Sequence, residues 1–447
     1  MSSLDLTRLA FVRRLLVARG PQLAVQLALL AGLLIVILAG LLGTPVGSRN
    51  PATVLVWIAW WAALMLAFVP WLGRSWCSVC PLPLPGEWLQ RGALLAPRGR
   101  GLGLGLRWPR RLRGMGLQNA AFLLVALFSL PVLTQPRLTA ALLLGLGLLA
   151  IATSLVFERR AFCRYLCPVG GFIGLYAQAA PVALRVRDPR LCATHAPKTC
   201  YVGSAHGYGC PWQAYPPSLT TNVSCGLCLE CLRTCPYDNI GVFLRPPGED
   251  LRRAWRSLGE ALKSLILLGS ALVYAVVLLG PWNGIRSAAV HVGSAEWFAF
   301  AVAFLAVVLG VVPGLFLLAV RVASGPRAES GDALRRLAPS LVPLGLAAWA
   351  AFSVSFVLAN ISYIGPVASD PLSLGWNLFG TAGVAWSPLG GGWTFWLPPA
   401  LLAGGLAWSS HRIRRAADGL QGGLRLAAPM LTLALTVSVG MLWVFVG

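Results

Sequence analysis

Nine apolar segments, each near the length that a helix needs to cross a bilayer, dominate the sequence. They cover residues 21–43, 53–71, 115–134, 138–157, 262–281, 297–320, 339–359, 394–410 and 427–446. Because a spanning helix takes about 20 apolar residues, the pattern predicts an all-α polytopic membrane protein with about nine transmembrane helices. The composition agrees: 57% of the 447 residues are hydrophobic and only 11% are charged, whereas soluble domains carry roughly 25% charged residues.

The basic residues predict the orientation of these helices. With the N-terminus in the cytoplasm, 33 of the 36 Lys and Arg residues fall on the cytoplasmic side, and Arg49, Arg137 and Arg286 are the exceptions. Since cytoplasmic loops are enriched in Lys and Arg, we expect a multi-pass protein of the cell inner membrane with its C-terminus outside. The net charge of +22 forms no basic patch with interleaved aromatic residues, so we expect contact with membrane lipid and none with nucleic acid.

The chain divides into three predicted parts. Residues 1–184 contain four of the helices and two Cys-Pro motifs. Residues 185–250 form a hydrophilic cytoplasmic insert that holds seven of the eleven cysteines. Residues 251–447 add five helices without any cysteine, and their sequence suggests no role.

The insert contains the most specific motif of the chain. Cys225, Cys228, Cys231 and Cys235-Pro236 form the run C-x2-C-x2-C-x3-C-P, which binds [4Fe–4S] clusters in bacterial ferredoxins. Zinc sites more often use two separated pairs, and disulfides are rare in a reducing compartment. The motif therefore predicts a ferredoxin-like iron–sulfur segment inserted between the fourth and fifth helices.

An upstream stretch resembles the other half of a two-cluster ferredoxin. In such proteins the fourth cysteine of each run binds the other cluster. The predicted ligands are Cys210, Cys225, Cys228 and Cys231 for one [4Fe–4S] cluster, and Cys192, Cys200 and Cys235 for a second. His195 stands where the missing cysteine would fall, and an imidazole ligand would raise the reduction potential. Alternatively, His195 is an ordinary loop residue beside a three-iron or labile cluster, and His206 is a further candidate ligand.

Four more cysteines follow even-numbered helices in two pairs. They are Cys77 and Cys80, followed by Pro81, and Cys163 and Cys167, followed by Pro168. Together the four thiols could hold a metal or a third cluster at the membrane boundary. They could also form a thiol–disulfide couple, or be inert cysteines at helix ends.

Taken together, these motifs resemble the membrane ferredoxin-type 4Fe–4S family that includes NapH-like quinol dehydrogenases and the C-terminal half of NosR-like proteins. The resemblance covers roughly residues 50–245 and rests on the two Cys-Pro pairs and on the insert that ends at Cys235-Pro236. It implies an electron conduit between the quinone pool and a redox partner. The chain departs from the family at two places. Its first pair is C-x2-C-P, where the family more often has C-x3-C-P, and His195 stands at a cysteine position. The resemblance does not reach the last five helices.

The leading hypothesis is therefore a membrane-bound iron–sulfur electron-transfer subunit, similar to a quinol dehydrogenase, that exchanges electrons between quinol and a redox protein partner. One alternative is an accessory protein that reduces or assembles a metallocentre. Another is a transporter whose clusters sense redox state. The sequence contains no catalytic motif, and its four histidines do not lie at mid-span, which argues against haem within the membrane.

Overall fold

The computed structural model describes residues 3–95, 101–255, 257–324, 330–389, 391–418 and 423–446. Seven helices in these residues are long and apolar enough to cross a membrane. They are Arg19–Leu42, Pro51–Leu72, Pro136–Val156, Leu258–Leu279, Ala295–Val322, Leu334–Ser369 and Ala427–Val446. The chain is thus mostly helical and has the character of a multi-pass membrane protein, as its hydropathy indicates.

Two of the nine predicted segments form helices outside this set of seven. Segment 115–134 is split into Gly116–Leu127 and Ser129–Thr134. Segment 394–410 forms most of the helix Leu397–Asp418, whose last turns carry several arginines. The predicted number of nine spans therefore stays a prediction.

Two compact units make up the chain, and neither is continuous in sequence. The first consists of Met1–Ile37, Ala67–Phe122 and Ala141–Asp250, and it contains every cysteine. The second consists of Leu38–Leu66, Leu123–Ala140 and Leu251–Gly447. The linear division into 1–184, 185–250 and 251–447 stays a prediction.

A small sheet in the first unit departs from the all-α expectation. Its strands are β1 (Leu4–Asp5), β2 (Val182–Val186) and β3 (Ile240–Leu244), in the order β1-β3-β2 with antiparallel neighbours. Val182 pairs with Leu244, and Val186 pairs with Ile240. Since β2 precedes the insert cysteines and β3 follows them, the β2–β3 pairing closes the insert into a loop.

Short helices carry the cysteine segments of the first unit. They are Ala10–Val17, Trp76–Val79, Leu84–Arg91, Phe162–Leu166 (a π-helix), Pro168–Tyr176, Pro189–Thr194, Thr199–Val202 and Glu230–Thr234. Proline stands first in two of them, where its missing N–H costs nothing. Both of these helices have a side-chain cap: Cys167 accepts from the Gly170 N–H, and Asp188 accepts from the Arg190 N–H.

The second unit also includes the helices Asn283–Val290 and Gly423–Val446. Its helices pack through small residues and through hydrogen bonds from tryptophan side chains. A Cβ atom on Gly40 would lie 2.6 Å from that of Ala140. Trp61 Nε1 donates to Ser353 Oγ at 3.1 Å. Such close approaches and inter-helix hydrogen bonds stabilise helices in a membrane, where lipid gives no hydrophobic drive between them.

Candidate functional site

All eleven cysteines are free thiols, and all lie in the first unit. Eight of them are buried, while Cys80, Cys228 and Cys235 are partly exposed. We divide them into three groups by the thiols that act most strongly on one another. The two groups in the insert adjoin, because Cys200 also acts on Cys231 and Cys210 also acts on Cys200.

The helix-end group consists of Cys77, Cys80, Cys163 and Cys167. Burial raises the pKa of the Cys80 thiol to about 12, and the nearby thiols of Cys77 and Cys167 raise it further. Burial likewise raises the pKa of Cys163, which has all three other thiols as neighbours. The fold therefore brings together two pairs that lie far apart in sequence, at the ends of the helices Pro51–Leu72 and Pro136–Val156.

The four-thiol insert group consists of Cys210, Cys225, Cys228 and Cys231. Burial raises the pKa of Cys231, and the neighbouring thiols of Cys228, Cys225 and Cys210 add to the effect, followed by Cys200 of the other insert group. Between these cysteines the loop turns sharply, because Leu227 and Leu229 adopt left-handed φ values of 48° and 65°. Residues without a glycine's freedom keep such angles only where the surroundings impose them, often at functional sites. The structure thus brings together the four cysteines that crossed ligation predicts.

The three-thiol insert group consists of Cys192, Cys200 and Cys235. Burial raises the pKa of Cys200 to about 11, with Cys235 and Cys192 as the next causes. The Asn239 side chain donates to the Cys192 sulfur at 3.2 Å, and the Asn239 peptide N–H donates to the Cys235 sulfur at 3.4 Å. This is the second predicted set of thiols.

The predicted histidine ligands lie near this group without a described contact to its sulfurs. The His195 ring lies 4.7 Å from the Tyr237 ring, centroid to centroid. His206 is exposed in its loop, and its carbonyl accepts from Arg19. Ligation by His195 or His206 therefore stays a prediction.

Two buried arginines connect the helix-end group with the four-thiol group. Arg74 donates to the carbonyl of Cys163 at 3.2 Å and to that of Val223, and it stacks on Trp212 at 4.1 Å. Arg160 donates to the carbonyl of Cys77 at 2.5 Å through its side chain. Its peptide N–H donates to Pro211 at 3.1 Å.

The charge of Arg160 is balanced by a buried carboxylate. Glu87 accepts from Arg160 Nη2 at 2.6 Å and from Nε at 3.0 Å. Burial alone would raise the pKa of Glu87, but the charges of Arg160 and Arg91 outweigh it and hold the pKa below its ordinary value. A buried ion pair keeps its charges only with such hydrogen bonding, so Arg160 is fixed in position beside both groups.

Hydropathy and charge patterns indicate for Arg74 and Arg160 only a position at the cytoplasmic ends of helices, not a role at the cysteines. The sequence does contain a signal for such a role, because each arginine lies three residues before a cysteine: Arg74 before Cys77, and Arg160 before Cys163. Both therefore emerge from a span directly before a cysteine pair.

The donor set and its surroundings fit an iron–sulfur cluster. The Trp212 indole N–H is buried beside Gly226 and finds no acceptor among the described residues. Buried donors are almost always satisfied, and a sulfide within the four-thiol group would satisfy this one. In the described residues no three His, Cys, Asp or Glu side chains are arranged to hold a single metal ion; in a [4Fe–4S] cluster each cysteine binds a different iron.

Comparison with known proteins adds independent support. The chain matches the family described as "4Fe-4S binding domain" over residues 53–115 and 138–188. These stretches contain both helix-end pairs and end before Cys192. The chain is also 27% identical over 148 residues to "Putative electron transport protein YccM" of Escherichia coli (strain K12). That alignment covers 32% of this chain and 37% of the relative. No solved structure matches the chain.

Over these stretches the chain is similar to 4Fe–4S binding domains and to a protein named for electron transport.

Proposed function

We propose that the protein is a membrane-bound electron carrier with three iron–sulfur clusters, which exchanges electrons between the quinone pool and a redox protein partner. The observation that carries the proposal is that eleven free thiols lie in one compact unit. Their nearest electrostatic partners divide them into groups of four, four and three, with the two insert groups adjoining. Two of these groups have the four thiolates that a [4Fe–4S] cluster needs, and the third has three.

The ligands proposed for the three clusters follow these groups. The helix-end cluster would use Cys77, Cys80, Cys163 and Cys167; the second would use Cys210, Cys225, Cys228 and Cys231; the third would use Cys192, Cys200, Cys235 and a fourth ligand, for which His195 is the candidate. A cluster of this kind takes up and releases single electrons.

The protein's own residues would hold and tune these clusters. Burial of the thiols excludes water, which lets nearby charges act strongly. Arg74 and Arg160 place positive charge beside both four-thiol groups, and the pKa of Cys167 and of Cys225, although raised by burial, is lowered in part by Arg74. The positive charges of these two arginines would also stabilise the reduced form of each cluster, which carries one more electron. Through their carbonyl contacts the two arginines also keep the groups adjacent.

A lipid-soluble quinone is proposed as the membrane partner because of where the helix-end group lies. Cys77 follows the span that ends at Leu72, and Cys163 follows the span that ends at Val156. This group is therefore close to the membrane boundary, where a quinone headgroup can approach it.

The meeting of the two cysteine pairs also supports the proposed topology. Cys80 and Cys163 lie on the same side of the membrane only if the chain crosses it an even number of times between them. Pro136–Val156 is one crossing, so Gly116–Leu127 with Ser129–Thr134 would supply the second. These 18 residues reach about 27 Å at 1.5 Å per residue, close to the hydrocarbon thickness of about 30 Å.

The same counting favours a crossing by the helix Leu397–Asp418. Arg336 and Arg412 line one cavity, and the span Leu334–Ser369 separates them, so a further crossing is needed between residues 370 and 412. Nine spans follow. With the arginine-rich ends inside, we propose an inner-membrane protein with a cytoplasmic N-terminus and cytoplasmic clusters.

The experiment is reduction by a quinol analogue, followed by electron paramagnetic resonance on the anaerobically purified full chain. We expect cluster signals to appear on quinol addition and to diminish in Cys228→Ala. Clusters that dithionite reduces but quinol does not would contradict the quinone partner. If that preparation instead reduced cupric ion, metallocentre assembly would replace quinone-linked transfer as the function.

A further inference from the structure

A basic cavity of about 340 Å³ lies within the second unit. Nine residues line it, and five of them are arginines: Arg252, Arg253, Arg336, Arg412 and Arg415. Its volume falls in the range of about 300–1,000 Å³ that small-molecule sites occupy. We refer to it as the arginine cavity.

Three membrane helices contribute their ends to the arginine cavity. Arg252 and Arg253 precede the span Leu258–Leu279, Arg336 lies at the start of Leu334–Ser369, and Arg412 and Arg415 lie near the end of Leu397–Asp418. The cavity is therefore at the boundary between the hydrocarbon and the water.

No acidic residue is among the nine described residues that line the cavity. Arg253, Arg336 and Arg415 are exposed, and Arg412 is fixed by donation to the carbonyl of Leu251. A topology signal requires arginines on one side of the membrane, but it does not require five of them around one cavity. Five guanidinium groups around one cavity attract an anion.

We propose that the arginine cavity binds the phosphate groups of an anionic phospholipid headgroup. The planar guanidinium donates two parallel hydrogen bonds to phosphate, which makes arginine the preferred residue for this ligand. Basic pockets between membrane helices bind headgroups such as that of cardiolipin. Five arginines suit a headgroup with two phosphates, and the helix ends leave the acyl chains in the bilayer.

Native mass spectrometry of the purified full chain tests the proposal, with added cardiolipin, phosphatidylglycerol or phosphatidylcholine. We expect retention of cardiolipin and a rise in Tm with it, and neither with phosphatidylcholine. The triple variant Arg253→Gln, Arg336→Gln, Arg415→Gln should bind cardiolipin at least about tenfold more weakly. Equal cardiolipin binding by the variant and the wild type would overturn the proposal.

A matched control removes the same charge elsewhere. Arg110, Arg111 and Arg414 are exposed and do not line the cavity, although Arg414 lies on the same helix as Arg415. Their triple substitution by Gln should leave cardiolipin binding unchanged, and a loss equal to that of the cavity variant would show a general charge effect and refute the site. Pyrophosphate at constant ionic strength forms the last arm: if it raises Tm as much as cardiolipin does, the ligand is a free phosphate and the headgroup assignment is wrong.

Discussion

The four-thiol and three-thiol insert groups come from the same short segment but differ in what surrounds them. Arg74, Arg160 and the Trp212 N–H lie beside the four-thiol group. At the three-thiol group, the Asn239 side-chain amide and peptide N–H donate to sulfur. The Tyr215 hydroxyl, at 3.2 Å, and the Lys198 ammonium both donate to the Cys192 carbonyl. In the proposed function, one segment therefore provides two electron sites of unequal potential. One lies beside two buried arginines, and the other lies beside amide donors, a partly exposed lysine and its fourth ligand.

The largest effect is expected when a cysteine of the four-thiol insert group is removed, because one cluster should be lost and the other kept. In Cys228→Ala we expect the loss of about four irons per chain and of one paramagnetic signal, because a cubane needs its four protein ligands. The three-thiol signal should persist. Cys235→Ala is the matched control and should do the reverse. Loss of both signals in both variants would mean that the two groups do not hold separate clusters, and iron analysis with spectroscopy decides this.

Replacing His195 by cysteine tests whether the fourth ligand of the three-thiol cluster is an imidazole. A thiolate adds a negative charge where imidazole has none, so His195→Cys should lower the midpoint potential of the three-thiol cluster by on the order of 100 mV. The measurement is a redox titration followed by electron paramagnetic resonance. His206→Cys tests the other candidate in the same way, and because His206 is exposed in its loop, we expect no change in the potential. An unaltered potential in His195→Cys would rule out imidazole ligation.

Neutralising the buried Arg74 should change the potentials of the four-thiol groups and leave the three-thiol group unchanged. Arg74→Gln removes a charge beside Cys167 and Cys225, so both four-thiol potentials should fall by about 60 mV, a tenfold change for one electron. The free energy of unfolding should fall by about 1–3 kcal/mol, because buried carbonyls lose their donor.

Arg74→Lys separates charge from geometry in the same experiment. It keeps the positive charge but loses the two-pronged donation to the carbonyls of Cys163 and Val223. We expect wild-type potentials with reduced stability. A potential that falls equally in Arg74→Lys and Arg74→Gln would show that the arginine acts only through structure.

The smallest effect is expected at Asn239. Asn239→Ala removes one hydrogen bond to the Cys192 sulfur and also bonds with Asp188, which should cost about 1–2 kcal/mol of unfolding free energy. The three-thiol potential should fall slightly, while the four-thiol potential stays constant. A shift of both potentials together would argue against independent environments, and the same titration measures it.

The sequence singles out the cysteines of the candidate site but little of what surrounds them. Spacing alone assigned Cys210 to the four-thiol group, because the Cys-Pro ending marks the fourth position of a ferredoxin run. It left the helix-end group as one of three alternatives, since spacing cannot show whether Cys80 and Cys163 meet across two spans. Arg74, Arg160 and Trp212 were missed because their contacts join residues far apart in the chain.

The fold shows the same limit. Hydropathy predicted the seven long helices, since each buries its own backbone hydrogen bonds and needs only a long apolar run. It missed the sheet, because β1 has only two residues and the pairing of β2 with β3 depends on where the insert returns.

The central claim is that the three thiol groups hold iron and sulfide, and the most direct test is chemical analysis of anaerobically purified wild-type protein. The account predicts about eleven or twelve irons per chain, with a similar amount of acid-labile sulfide and a brown colour. Colourless protein that contains neither iron nor sulfide would contradict it.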